Sequence, residues 1–365
     1  MKAVAVFPKE RALRVIDDVP EPRIEKPTQV RVRTLEVGLC GTDQEIAQFQ
    51  YGTPPEGSKY LILGHEALGE VVEVGEEVKG LAPGDLVVPR VRRPCSRAEC
   101  RPCREGRPDF CLTGAYTERG IQKAHGFMVE HFVEEVAWLH HVPKELRKVA
   151  VLTEPLTIAE KALKELEHIQ ARLPWGREGK APLRAVVLGA GPVGLLGAMA
   201  MLRAGFATTV YSHSRPPDER SALVERVGGR YLSSQDVAPS ELEARAGAVD
   251  AVYEATGASK FSFDVLGALG PNGIFIFTGV PGRKEPLQLE GGTLMKSLVL
   301  KNQVVLGTVN AGPDAFDAAL SDLQTFSERW PGALESLITT RYPPEAAPEA
   351  LTGKRKGIKR IIHFD

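Results

Sequence analysis

Cysteine is the residue type with the most evident chemistry in this 365-residue chain, and four of its five cysteines are clustered. Four thiolates in a tetrahedral array form a closed structural zinc site, which stabilises a loop with little core of its own. An iron–sulfur cluster and a pair of disulfides are the competing interpretations, but the spacing matches neither ferredoxin pattern well. The segment RPCSRAECRPCREGRPDFC therefore predicts a structural zinc, with the ligands Cys95, Cys100, Cys103 and Cys111.

The fifth cysteine, Cys40, stands apart in GLCGTD, and Gly64-His65-Glu66 follows further along the chain. One cysteine, one histidine and one carboxylate would supply three of the four ligands of a zinc ion. The fourth coordination position stays open, which is the arrangement of a catalytic site. Taken alone, a lone cysteine is more often part of a core, and a lone histidine is more often a satisfied polar group. The four-cysteine segment and the glycine motif described next favour a catalytic metal.

A glycine motif, Gly189-Ala190-Gly191-Pro192-Val193-Gly194, follows the strand-like RAVVLGA and precedes an apolar helical segment. A dinucleotide-binding G-x-G-x-x-G motif requires that context. Its first two glycines allow a tight turn and close approach of the pyrophosphate, and the third lets the helix pack on the strand. The helix N-terminus then supplies amide donors to the anion. A plain packing turn is the alternative, and the context favours dinucleotide binding.

The choice of dinucleotide depends on the end of the second strand, TTVYS. An acidic residue there would hydrogen-bond the ribose hydroxyls and repel a 2′-phosphate, but no carboxylate occurs before Asp218. Ser212 and Ser214 offer hydroxyl groups, and Arg215 can pair with a phosphate. A solvated loop charge is the alternative role of Arg215. The sequence favours NADP and leaves NAD open.

Two parts of different character must position these groups. Up to about residue 150, short strand-like segments such as EALGEVVEVGEEV and DLVVPRV indicate an irregular β-domain. After a Pro/Gly-rich linker from Pro174 to Pro182, strand-like and helix-like segments alternate, which predicts a parallel sheet covered by helices. Before the linker, TEPLTIAEKALKELEHIQARL has helical spacing, with one apolar face made by Leu156, Ala159, Leu163, Leu166 and Ile169.

Composition bounds the class of protein. The length fits two domains, and the net charge of −1 gives no electrostatic basis for binding nucleic acid or a membrane surface. No apolar run approaches the roughly 20 residues of a spanning helix, and the N-terminus has no signal-peptide core. We therefore expect a cytoplasmic protein without nucleic-acid or membrane partners. In that reducing compartment, clustered cysteines are more often metal ligands than disulfides.

The order of these motifs resembles the zinc-containing medium-chain dehydrogenase/reductase superfamily across essentially the whole chain. Within it the chain is most similar to archaeal-type glucose dehydrogenases, through CGTDQEI, CRPCREGRPDFC, ERGIQKAHGFMVEHF, EPLTIAEKAL, FTGVPG and GTVNAG. The resemblance implies an α/β fold, with a GroES-like irregular β catalytic domain at 1–180 and a Rossmann dinucleotide-binding domain at 181–310. Residues 311–365 would return to the catalytic domain, and the assembly would be a homo-tetramer or homodimer.

By position, the resemblance makes Cys40 and His65 ligands of the catalytic zinc and Glu66 a direct or exchanging ligand. Glu154 stands where many superfamily members place a zinc-binding glutamate, although glucose dehydrogenases more often have glutamine there. Thr42 would relay the substrate proton, and Asp43 would orient His65. The substrate residues implied are Thr42, Glu118, Glu154 and Asn310. Further cofactor-binding residues implied are Thr256, Thr278, Val309 and Lys354.

The implied activity is zinc-dependent oxidation of an aldose, glucose or galactose, at the anomeric carbon to the lactone, with hydride transfer to NADP or NAD. Val91 and Ile158 depart from the polar residues expected in sugar-specific relatives, which would weaken discrimination among hydroxylated substrates. The first gap of the four-cysteine segment is also two residues longer than usual. A polyol or secondary-alcohol dehydrogenase of the same superfamily and a non-catalytic NADPH-binding protein are the alternatives.

Overall fold

The computed structural model describes residues 1–174, 182–282, 286–354 and 356–364, and the chain divides into two compact units. The first unit contains Met1–Thr157, Asn310–Ser327 and Leu334–Asp365, and the second contains Ile158–Val309 and Glu328–Ala333. The sequence of the second unit is therefore inserted into that of the first. The domain boundaries predicted at 180/181 and 310/311 stay predictions. The predicted linker runs from Pro174 to Pro182, and its residues 175–181 lie outside the described residues.

The first unit is built mainly from short strands, as its alternating segments predict. Its core is formed by the apolar faces of these strands, including Val32, Val37 and Phe132. In the first part of the chain the strands are β1 (Ala3–Phe7), β2 (Ala12–Ile16), β3 (Gln29–Gly38), β4 (Leu61–Ile62), β5 (Glu66–Val74), β6 (Leu86–Pro89), β7 (Arg92–Arg93), β8 (Thr117–Arg119), β9 (Lys123–Ala124), β10 (His131–Glu135) and β11 (Leu139–Val142).

Helices in this first part are short until residue 153. The amphipathic segment predicted there forms a helix, and its predicted apolar face is buried except at half-buried Ile169. These helices are α1 (Gly41–Ala47), α2 (Arg101–Arg104) and α3 (Thr153–Gln170). Single 3-10 turns cover Pro108–Phe110, Val136–Trp138, Lys144–Leu146, Ala150–Leu152, Pro239–Glu241 and Pro344–Ala346.

The second unit contains the predicted parallel sheet, with strand order β14-β13-β12-β15-β16-β17. Its strands are β12 (Arg184–Leu188), β13 (Ala207–Ser212), β14 (Arg230–Ser233), β15 (Val249–Glu254), β16 (Leu269–Phe277) and β17 (Val304–Gly307). Its helices are α4 (Pro192–Arg203), α5 (Glu219–Arg226), α6 (Leu242–Ala246), α7 (Ser259–Leu266) and α8 (Gly291–Leu300). The sequence pattern did not predict α8, and this helix has no fully buried side chain.

The end of the chain completes the largest sheet of the first unit. It contains α9 (Pro313–Arg329), α10 (Ala333–Leu337), β18 (Ile338–Tyr342), α11 (Ala347–Thr352) and β19 (Lys359–His363). The sheet has the order β11-β6-β5-β3-β19-β18, and β10 also pairs with β3. Strand β19 is thus internal, antiparallel to β3 and parallel to β18. Among the described residues, no helix is both long and apolar enough to cross a membrane.

Candidate metal centres and cofactor site

Cys40, His65 and Glu66 meet because β3 and β5 pair with one another. Gly38, at the end of β3, lies opposite Glu66, the first residue of β5. Cys40 follows two residues later, directly before α1, so residues distant in sequence reach one corner of the sheet. One ligand atom from each of the three residues lies within 4.8 Å of the other two. The structure therefore brings the predicted Cys–His–Glu set together.

Asp43, in the first turn of α1, connects this set internally. The carboxylate is completely buried, and its Oδ2 accepts a hydrogen bond of 2.9 Å from the Cys40 backbone amide. Its other oxygen, Oδ1, lies 3.4 Å from Nδ1 of His65. With Nδ1 facing a carboxylate, Nε2 is the ring nitrogen left for a metal, which is the usual arrangement of a metal-binding histidine. Asp43 therefore lies where a residue that orients His65 is needed.

Electrostatics at this corner fit a bound cation. Burial lowers the pKa of His65, but Asp43 and Cys40 raise it by more, so that the pKa lies well above its ordinary value. Within the described residues, neither Nδ1 of His65 nor Oδ1 of Asp43 has a hydrogen-bond partner of good geometry. These two atoms face each other at 3.4 Å, which leaves Nε2 of His65 and the sulfur of Cys40 for a cation. The donor set of one thiolate, one imidazole and one carboxylate is suited to zinc.

Glu66 has a second partner that the sequence did not reveal. Lys359, on β19, forms an ion pair with Oε2 of Glu66, and both side chains are almost completely buried. Nζ of Lys359 also donates to the backbone carbonyl of Leu39 at 3.3 Å. A carboxylate oxygen engaged by a buried ammonium group is less available to a metal. The ion pair therefore suits Glu66 to the exchanging role that the resemblance implies.

Glu154 lies at the start of α3, and it is buried near the same group. Burial raises the pKa of Glu154 to about 7, while His65 lowers it and Glu66 raises it. Among the described residues, however, the group with ligand atoms within 4.8 Å does not include Glu154. Its role as a zinc ligand or substrate residue stays a prediction. Thr42, predicted as the proton relay, is half-buried on α1, and its hydroxyl lies 4.0 Å from the sulfur of Cys40.

The four remaining cysteines converge as a second set. Their sulfur atoms all lie within 4.8 Å of one another, and all are free thiols. The sulfurs of Cys100 and Cys111 are 3.8 Å apart. A tetrahedron of sulfurs bound to zinc at about 2.3 Å has edges of about 3.8 Å, whereas a disulfide needs about 2.05 Å. The arrangement therefore fits the predicted four-thiolate site and excludes the disulfide alternative for this conformation.

Glu118 and Asn310, the predicted sugar-binding residues, also lie together. Nδ2 of Asn310 donates to Oε1 of Glu118 at 3.2 Å. Val91 is buried in the apolar core of the first unit, and Ile158 is half-buried in the second unit. The effect of these two apolar residues on substrate choice stays a prediction.

The glycine motif forms the turn between β12 and α4. Gly189 has a positive φ of 99°, which favours glycine, and a side chain on Gly194 would collide with the carbonyl oxygen of Gly189. A Cβ atom on Gly191 would instead face open space. The turn is therefore tightly packed at Gly194 and open at Gly191. A pyrophosphate site requires both features. Helix α4 begins with Pro192 and Val193.

The predicted ribose-phosphate residues follow β13. The hydroxyl of Ser212 accepts from the Ala190 amide at 3.2 Å, so it stabilises the glycine turn. Ser214 bonds to the hydroxyl of Tyr231, and Nε of Arg215 lies 3.0 Å from Oδ1 of Asp236. An exposed ion pair of this kind contributes roughly 0–1 kcal/mol, so it leaves Arg215 able to exchange partners.

Two further cofactor candidates, Thr256 and Thr278, are both held by Glu254, which sequence reasoning missed. Glu254 ends β15 and is completely buried. Its Oε1 accepts from the amide and hydroxyl of Thr256, each at 2.6 Å, and from the amide of Gly257 at 2.8 Å. Its backbone carbonyl accepts from the Thr278 hydroxyl at 2.6 Å. Glu254 therefore organises both loops.

Val309 and Lys354 complete the predicted cofactor set. The side chain of Val309 is half exposed, and its carbonyl accepts from Nζ of Lys161 at 3.0 Å. Lys354 is exposed shortly after α11. Their contact with a cofactor stays a prediction.

Comparisons with known proteins cover nearly the whole chain. The model of the alcohol dehydrogenase GroES-like domain matches residues 26–144, and the model of the glucose dehydrogenase C-terminus matches residues 147–364. Together with the parallel sheet, these matches confirm the predicted combination of a GroES-like β domain and a Rossmann domain.

Individual relatives are similar over their full length. The chain is 43% identical to glucose 1-dehydrogenase of Thermoproteus tenax, with 99% of each chain covered. It is 38% identical to glucose 1-dehydrogenase of Methanocella arvoryzae, covering 100% of this chain and 99% of the relative. A solved structure of Haloferax mediterranei glucose dehydrogenase in complex with NADP, Zn and gluconolactone is 33% identical, with a TM-score of 0.89, covering 100% of this chain and 99% of that one.

Proposed function

The chain belongs to the glucose dehydrogenase family of the zinc-containing medium-chain dehydrogenases/reductases, and from this premise we propose that it oxidises glucose at the anomeric carbon to the lactone, with NADP as hydride acceptor. One observation carries the proposal. Cys40, His65 and Glu66 converge beside Asp43 in a chain that matches, over its full length, a relative solved with NADP, Zn and gluconolactone.

Zinc at the Cys40–His65–Glu66 set would supply a Lewis acid that lowers the pKa of the sugar hydroxyl, and NADP would accept the hydride. Asp43 would orient the imidazole of His65 through its Oδ1, which lies 3.4 Å from Nδ1. Thr42 stands beside Cys40 and is suited to take up the hydroxyl proton and pass it on. The four remaining cysteines would hold a second, structural zinc that fixes their loop.

NADP is the cofactor in this proposal because β13 ends without a carboxylate. Ser214 and Arg215 would bind the 2′-phosphate, and Gly191 with the N-terminus of α4 would bind the pyrophosphate. NAD lacks that phosphate, so it would be a weaker substrate. Glu118 and Asn310 would bind sugar hydroxyls.

We also propose that the active protein is a homo-oligomer. Several large apolar side chains of α8, β17 and the following residues are exposed in the single chain, and β17 is an edge strand. Exposed apolar surface beside a free strand edge favours association with a second copy. The residues concerned are Met295, Val299, Leu300, Val305 and Val309. A reducing, cytoplasmic location is part of the same proposal, because thiolate zinc sites require unoxidised cysteines.

A steady-state assay tests the function directly. Glucose, galactose, sorbitol and simple secondary alcohols are each supplied with NADP and with NAD, before and after removal of zinc by a chelator. We expect aldose oxidation that prefers NADP, is lost on chelation and returns when zinc is added. Oxidation of sorbitol without oxidation of any aldose would instead assign the chain to the polyol dehydrogenases. Activity unchanged by chelation, with zinc shown to be removed, would contradict the zinc mechanism.

A further inference from the structure

Arg92 and Glu118 face each other across the pairing of β7 with β8. Both side chains are buried, with exposed fractions of 6% and 7%. Nε and Nη2 of Arg92 each lie 3.0 Å from Oε1 of Glu118. A guanidinium that reaches one oxygen through two nitrogens holds a carboxylate in one orientation. The pair therefore fixes Glu118 more firmly than a single hydrogen bond would.

The two oxygens of Glu118 have different surroundings. Oε1 accepts from Arg92 and, at 3.2 Å, from Nδ2 of Asn310. No residue in the described part of the chain donates a hydrogen bond to Oε2. Because a carboxylate oxygen accepts through about two lone pairs, the contacts to Oε1 saturate it. Oε2 is therefore the oxygen left to accept from a ligand hydroxyl.

Arg92 is itself held by its surroundings. Its guanidinium lies over the ring of Tyr116, 3.7 Å from the centroid, and its Nη1 lies 3.4 Å from the carbonyl oxygen of Asp109. Asp109 belongs to the 3-10 turn that leads directly into Cys111, and the Arg107 side chain pairs with its carboxylate at 2.8 Å. The position of Arg92 therefore depends on the segment that carries the four cysteines.

We propose that Arg92 is a positioning residue for sugar recognition: it holds Glu118 with Oε2 free to accept a sugar hydroxyl, and it links that recognition to the order of the four-cysteine segment. This inference rests on the proposed aldose oxidation. Arg92 acts through Glu118, so its loss should weaken sugar binding far more than it slows the chemical step.

Arg93 provides a matched control. It is the next residue on β7 and forms its own largely buried ion pair with Glu134. In steady-state assays with glucose, we expect Arg92→Met to raise KM by about 10- to 100-fold, with kcat changed by less than about threefold. Arg93→Met should cost similar thermal stability and leave KM near the wild-type value. Arg92→Lys keeps the positive charge but loses the second nitrogen that reaches Glu118, so it should give a KM between those of the wild type and Arg92→Met.

A series of monodeoxyglucoses separates positioning from simple loss of structure. In the wild type, kcat/KM should fall most for the deoxyglucose that lacks the hydroxyl bound by Glu118, so the largest fall identifies that hydroxyl. That cost should nearly disappear in Arg92→Met and persist in Arg93→Met. If Arg92→Met does not fold, Arg92→Lys serves for the same comparison, with a smaller but still reduced cost expected.

The outcomes distinguish this inference from the function on which it rests. A wild type that oxidises no aldose would overturn the proposed function. If the wild type is active, and removal of a sugar hydroxyl lowers kcat/KM by the same factor in the Arg92 and Arg93 variants, the role of Arg92 would be overturned. The proposed function would then still stand. Cys111→Ser should release one zinc per chain and raise the KM for glucose. Loss of that zinc with an unchanged KM would overturn the link to the four-cysteine segment.

Discussion

Gly38 lies directly opposite Glu66 in the pairing of β3 with β5, and the Glu66 carboxylate fills the space beside the Cα atom of Gly38. A Cβ atom on Gly38 would overlap with Oε2 of Glu66 and lie 2.8 Å from Cε of Lys359. Both neighbours are buried and paired with one another, so neither can move without breaking the ion pair. The absence of a side chain at Gly38 is therefore a condition for the metal site.

Gly38→Ala should displace Glu66 and lower the zinc content. We expect a fall in kcat/KM of more than about tenfold, and a stability loss of about 1–3 kcal/mol from overpacking. Zinc content by mass spectrometry and thermal melts of the same samples measure both effects. Gly292→Ala is the control, because a Cβ atom there would meet nothing within 4 Å. Full zinc occupancy in Gly38→Ala would contradict the expectation.

Asp43→Asn should weaken zinc binding by about 10- to 100-fold, because it removes the charge that orients His65 while keeping the size of the side chain. Competition with a chromogenic chelator measures the zinc affinity without relying on activity. Glu45→Gln, on the same helix, removes a carboxylate that lies outside the clustered ligand set. Equal affinities of the two variants would show that Asp43 has no such role.

Glu254→Gln should disorder the loops that carry Thr256 and Thr278. The buried carboxylate accepts from three groups within the Thr256–Gly257 turn and from the Gly279 amide at 3.1 Å. Losing these charge-assisted bonds should cost about 2–4 kcal/mol of stability, and we expect NADP affinity to fall at least about tenfold. Fluorescence titration with NADPH measures that affinity. Asp250→Asn, near the opposite end of β15, should leave NADPH binding unchanged.

His125 should make stability fall on acidification. Burial, with a smaller effect of Arg119, lowers the pKa of His125 from 6.5 to about 4, and Nδ1 accepts from the Ile62 amide at 3.2 Å. Because the folded pKa lies below the unfolded one, this contribution is fully present above pH 6.5. It is lost as the pH falls towards 4, by at most about 3 kcal/mol.

Urea unfolding between pH 7 and 4 tests this contribution. His125→Asn keeps an acceptor for the Ile62 amide but does not titrate in this range, so its stability should depend less on pH than that of the wild type. His141→Asn changes an exposed histidine and should follow the wild-type profile. Parallel profiles for His125→Asn and the wild type would show that His125 is not responsible.

Local patterns made several of these sites predictable from the sequence. The four cysteines lie within one short segment, and the glycine motif has its strand and helix as immediate neighbours, so both were identified with their elements. Lys359 could not be identified as the partner of Glu66, because only the register of β19 against β3 brings it to the site. The Arg92–Glu118 pair depends in the same way on the pairing of β7 with β8.

Other differences arise because side-chain partners are not visible in sequence. Arg215 was predicted to bind a phosphate, and here it pairs with Asp236, a residue that no motif connects to it. Glu254 has no recognisable pattern around it, since its partners are mostly backbone amides. Helix α8 was not predicted, although Leu294 and Leu298, and likewise Met295 and Val299, are spaced four residues apart as on one face of a helix.

The internal position of β19 limits how this protein can be divided or engineered. A fragment that stops at residue 157 would lack both β18 and β19, so the end of β3 that pairs with β19, residues 36–38, would have no neighbour on that edge, although β10 would still pair with the first half of β3. Such an open edge invites strand pairing between molecules and aggregation. The same fragment would keep the buried Glu66 carboxylate but lose Lys359, leaving a charge in the core without its counter-ion. The zinc-binding part therefore cannot be transplanted as an N-terminal module; a transferable version must include both halves of its sheet.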